Sequence, residues 1–66
     1  MTIIINGERK EFEKELTLQE VVASLGLEGK VMAAAINMEI VKQDKWADTL
    51  VHNGDKLELL DFVGGG

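Results

Sequence analysis

Sixty-six residues, 45% of them apolar, with a formal net charge of -5, suffice for one small domain with a compact core and no more. The acidic balance argues against a nucleic-acid binder, where Lys and Arg neutralising phosphates dominate affinity, and suits a protein that docks on basic surfaces. With no cysteine and the single histidine His52, neither a disulfide nor a Cys-ligated zinc can reinforce the fold.

Thr2–Ile5 is a run of β-branched residues and reads as a buried strand. Asn6-Gly7 is the strongest two-residue hairpin signal, because a type I′ turn needs positive φ at both central positions. The return strand is placed over residues 8–14, with Phe12 directed inward. Thr17-Leu18-Gln19-Glu20 then forms a capping box, the threonine side chain accepting from the Glu20 N–H and the glutamate from the Thr17 N–H. Leu18, Val21, Val22 and Leu25 recur at i, i+3, i+4 and i+7, one stripe of a short amphipathic helix that must lie on the sheet. Gly26 stands where a left-handed C-terminal cap is wanted.

Residues 31–37 are apolar and bounded by Gly29 and Asn37. Ala33, Ala34 and Ala35 are weak strand formers, yet the segment reads as a strand whose small side chains let a helix pack close above it. Asn37-Met38-Glu39 turns into a short strand over residues 40–42. Residues 43–48 form a polar loop with room for one helical turn, and Trp46 anchors that loop to the domain. Asn53-Gly54-Asp55 is a further turn, residues 56–63 are the last strand, and Gly64-Gly65-Gly66 closes the chain. The division is thus a domain over residues 1–63 and a flexible glycine tail over 64–66. The order ββαβββ belongs to the α+β class, with one main helix laid across a mixed sheet: the β-grasp, or ubiquitin-like, arrangement.

The last strand carries a second clue. If Leu57 and Leu59 face the core, the period of two directs Glu58, Leu60 and Phe62 to the opposite face. Leu60 and Phe62 then form a docking patch for a partner beside the tail. The alternative is a β-bulge that returns both to the core.

Asn6-Gly7-Glu8, Thr17-Leu18 with Glu20, Ala35-Ile36-Asn37 with Ile40-Val41, Trp46, Gly54-Asp55 and Phe62-Val63-Gly64-Gly65-Gly66 together resemble the ThiS family of sulfur carriers. Each motif is weak alone; their order, spacing and terminal di-glycine are specific, and the resemblance spans the whole chain. It implies that a partner adenylating (E1-like) enzyme uses ATP-Mg to adenylate the carboxylate of Gly66. Sulfur from a donor such as a cysteine desulfurase persulfide then yields a thiocarboxylate, which thiazole synthase draws into the thiazole of thiamine. The chain itself binds no cofactor in this reading and is a substrate of enzymes rather than an enzyme. The alternatives are the small subunit of molybdopterin synthase, a carrier serving cysteine synthesis, a ubiquitin-like conjugating tag and an inert interaction module.

The chemistry suits the tail. An α-carboxylate is an anion at neutral pH, ready to attack an ATP phosphate, and adenylation supplies the leaving group that a carboxylate lacks. Glycine without Cβ threads a narrow channel. Elsewhere the residues read blandly. His52 is a solvated loop residue, and Glu8, Glu11, Glu13 and Glu15, interleaved with Arg9, Lys10 and Lys14, form a solvated face. No nucleotide motif or nucleophile–base pair is present. No apolar run nears the roughly 20 residues that span a bilayer, and residues 1–6 are too short for a signal peptide. A cytoplasmic monomer that binds neither membrane nor nucleic acid is the expectation.

Overall fold

β1 (Thr2–Ile5) and β2 (Glu8–Glu11) pair antiparallel in the computed structural model, which describes residues 1–61. Asn6 and Gly7 join them with φ of 49° and 84°, the positive pair that a type I′ turn demands. The return strand stops at Glu11 instead of running to residue 14. Phe12 still donates its N–H to the Met1 carbonyl at 2.8 Å and packs on the core. Beyond it the chain leaves the sheet, because Leu16 and Thr17 form a two-residue strand of their own. This β3 (Leu16–Thr17) pairs with β6 (Leu50–Val51) and brings Thr17 to the helix start.

Helix α1 (Leu18–Ser24) opens on the capping box read from the sequence, with Thr17 N–H to Glu20 Oε1 at 2.8 Å and Glu20 N–H to Thr17 Oγ1 at 3.1 Å. It ends in a Schellman motif. Gly26, at φ 73°, donates to the Ala23 carbonyl at 3.0 Å, and Leu27 donates to the Val22 carbonyl at 3.1 Å. Glycine is needed at that φ because a Cβ would crowd the backbone.

β4 (Val31–Ile36) and β5 (Glu39–Val41) form a second tight hairpin. Its central residues, Asn37 and Met38, also lie at positive φ, 50° and 73°. Asn tolerates this region; an unbranched side chain such as Met38, here 91% exposed, does so at a cost. Met38→Gly is therefore expected to stabilise the domain by about 0.5–1 kcal/mol, a rise in Tm of roughly 2–8 °C in thermal melts. An unchanged or lowered Tm would mean that the turn holds no strain.

The segment after β5 is a 3₁₀ helix (Gln43–Asp48) that buries Trp46 and lets its indole N–H donate to the Val41 carbonyl at 2.9 Å. Trp46 is thus the loop anchor expected of it. β7 (Lys56–Asp61) runs through the middle of the main sheet, whose order is β2-β1-β7-β4-β5. It lies parallel to β1 and antiparallel to β4, so the sheet is mixed. Ile3, Ile5, Leu57 and Leu59 from the sheet meet Leu18, Val21 and Val22 from the helix in one core, joined by Val31, Ala34, Trp46 and Val51. Among the described residues no polar or charged side chain is buried, and no helix is long and apolar enough to cross a membrane.

Candidate functional site

The central strand β7 carries the chain toward its glycines, and its two faces differ as the period of two requires. Leu57 and Leu59 are buried, whereas Glu58 is exposed and Leu60 is 57% exposed. Leu60 therefore lies on the solvent side. The β-bulge weighed for β7 occurs instead on its neighbour β4, between Val31 and Ala33.

That bulge corrects the reading of the three alanines as a seat for the helix. An extra residue on one strand shifts the alternation, so Val31 and Ala34, three apart, are both buried. Only Ala34 faces the core. Ala33 and Ala35 point outward, Ala33 opposite Leu60 and Ala35 between Glu58 and Ile40. Their small side chains leave a depression of about 260 Å³ on the outer face of the sheet, walled by Leu60 and Ile40. Ile40 is 78% exposed there. The sequence held a signal for this neighbourhood. A two-residue turn at Asn37-Met38 pairs Ile36 with Glu39 and hence, one step on, Ala35 with Ile40.

Phe62, Gly64, Gly65 and Gly66 lie outside the described residues. Covalent geometry alone bounds their reach: five residues extend at most about 18 Å beyond Asp61. Gly66 thus lies within that distance of the end of β7.

The remaining candidates stay apart from this region. His52 is exposed in its loop, with Nδ1 3.8 Å from Asp55 Oδ2. Glu8, Glu11, Glu13 and Glu15 are exposed, and Glu8 lies 3.7 Å from Lys10.

Similarity to known proteins points the same way. The family model described as "ThiS family" matches residues 3–66. The sulfur carrier protein ThiS of Escherichia coli (strain K12) is 30% identical over 66 residues, with all of both chains covered. A thiazole synthase of Paramagnetospirillum magneticum is 38% identical over 66 residues, but this chain spans only 20% of that protein's length. The crystal structure of the thiamine biosynthesis protein (ThiS) from Geobacter metallireducens superposes with a TM-score of 0.83 at 27% identity, each chain covered in full.

Proposed function

The chain belongs to the ThiS family, and from that premise we propose that it is a sulfur carrier of thiamine thiazole biosynthesis whose reactive group is the carboxylate of Gly66. The observation that carries this reading is a family match running through residue 66, on a fold whose central strand β7 is the last described element before it.

In this reading an adenylating enzyme binds the domain and ATP-Mg. A Gly66 carboxylate oxygen attacks the α-phosphate, pyrophosphate leaves, and the acyl adenylate holds AMP as a good leaving group. The terminal sulfur of a partner's persulfide displaces AMP and forms an acyl disulfide. A second thiol then attacks the other sulfur and releases the Gly66 thiocarboxylate, while the two partner sulfurs end as a disulfide. Both thiols belong to partners, because this chain has no cysteine. Thiazole synthase takes the sulfur from the thiocarboxylate, a soft nucleophile. The chain holds no cofactor of its own and works in the cytoplasm.

Leu60 and Phe62, with Ile40 and the depression floored by Ala33 and Ala35, are the surface on which the adenylating enzyme docks. Apolar anchors entering a pocket dominate most interfaces. Leu60→Ala and Phe62→Ala are each expected to weaken binding to that enzyme about tenfold in calorimetry, with Tm nearly unchanged. A large fall in Tm for Phe62→Ala would instead make it a core residue.

Intact-protein mass spectrometry of the chain co-expressed with its sulfur machinery tests the function. A mass gain equal to oxygen exchanged for sulfur is the expected result. A covalent adduct on another protein's lysine would replace the carrier with a conjugating tag, and no change would leave an inert module.

A further inference from the structure

β1 pairs with β7 only as far as Ile5 opposite Leu57, and then turns away at Asn6. β7 continues for four more described residues, and on that flank a side chain takes over from the strand. Asn6 donates its backbone N–H to the Leu57 carbonyl at 2.9 Å. Its carboxamide then accepts from the Leu59 N–H at 2.8 Å and donates to the Leu59 carbonyl at 3.2 Å. One side chain thus satisfies both backbone groups of a residue 53 positions away. On the other flank Leu59 pairs regularly with Ala34, and the ladder to β4 becomes irregular just beyond, where the bulge falls between the pairs Ala33–Leu60 and Val31–Asp61.

We propose that Asn6 is a positioning residue for the reaction at Gly66: its carboxamide extends β1 by one rung and holds Leu59, seven residues before Gly66, in place on the sheet. The inference rests on Gly66 being the group that is adenylated. The residue type follows from the geometry. Asn6 sits at φ 49°, a region that Asn and Gly enter readily, and its short carboxamide offers a donor and an acceptor on separate atoms to the N–H and C=O of one residue. Asp in its place keeps an acceptor for the Leu59 N–H but sets a second carboxylate oxygen against the Leu59 carbonyl.

The structure also contains its own control. Asn37, likewise at positive φ, accepts from the Lys56 N–H at 3.0 Å and donates to Asp55 Oδ1 at 3.0 Å. It therefore clamps the beginning of the same strand, at the end away from the glycines. Asn6→Gly and Asn37→Gly each delete a carboxamide with two bonds while keeping a residue suited to the turn.

The test measures pyrophosphate release by an adenylating enzyme that charges ThiS-type carriers, with wild type, Asn6→Gly, Asn6→Asp and Asn37→Gly as the varied substrate. Both glycine variants are expected to lower Tm comparably. Only the Asn6 variants should lower kcat, by about tenfold, with KM changed less than about twofold, since the docking face remains while the tail is misplaced. Amide exchange should accelerate at Leu59 in Asn6→Gly and at Lys56 in Asn37→Gly. If Asn6→Gly fails to fold, Asn6→Asp carries the comparison. Asn6 variants with wild-type kcat, or a loss matched by Asn37→Gly, would overturn the proposal. A wild-type chain that is not charged at all would overturn the proposed function, and this inference with it.

Discussion

Deleting Gly66 is expected to abolish thiocarboxylate formation, to below detection by intact-protein mass spectrometry, while the thermal transition of the domain stays in place. The two halves of this outcome have separate causes. Every buried residue among those described lies between Ile3 and Leu59, and deleting Gly66 removes none of them. The shortened chain still ends in a glycine carboxylate, chemically the same group. It ends about 3.3–3.6 Å short, however. Reacting atoms must come within roughly 3–3.5 Å, and a misplacement of about 1 Å can cost some hundredfold in rate. Docking near the end of β7 cannot make up the difference without moving the whole body. Appending residues that nothing removes should have the same effect, because the carboxylate becomes an amide with no anion to attack ATP. Undiminished sulfur delivery by either variant would refute Gly66 as the reacting group.

Leu57→Ala is expected to destabilise the domain by about 2–5 kcal/mol, the usual range for a large apolar side chain removed from a close-packed core. Leu57 is 1% exposed on the central strand, flanked by β1 and β4, where the surrounding backbone has little freedom to collapse into the cavity. A chain of this length has a total stability of only about 3–10 kcal/mol. The variant should therefore be substantially unfolded, or should show a urea midpoint far below wild type. Leu60→Ala, three residues on and facing outward, should shift the midpoint by no more than about 0.5 kcal/mol. Equal effects at the two positions would contradict the face assignment of β7, and with it the depression beside Leu60.

The faces of β7 and the ends of the helix are legible in the amino-acid sequence. The Asn6-Gly7 turn, the Thr17–Glu20 capping box, the Gly26 cap and the alternation from Leu57 to Leu60 all hold as expected. Each depends on residues within a few positions of one another, so backbone sterics and short hydrogen bonds suffice to specify it. The outer half of the candidate site was less accessible. Leu60 is placed by periodicity, but which of the three alanines faces the helix is not, because a single bulged position shifts the alternation counted from Val31 and leaves only Ala34 in the core.

What the amino-acid sequence determined by itself was therefore the local grammar: where the chain turns, where the helix begins and ends, and which residues of the last strand alternate with which. Tertiary structure alone decided that β7 sits at the centre, parallel to β1, and that β3 and β6 make a separate two-residue pair. It alone decided that Asn6 completes the ladder at Leu59. The physical reason is range. Pairing between distant segments is chosen by the joint packing of all elements around one core, and two-residue strands or a lone carboxamide have no period that could announce their partners.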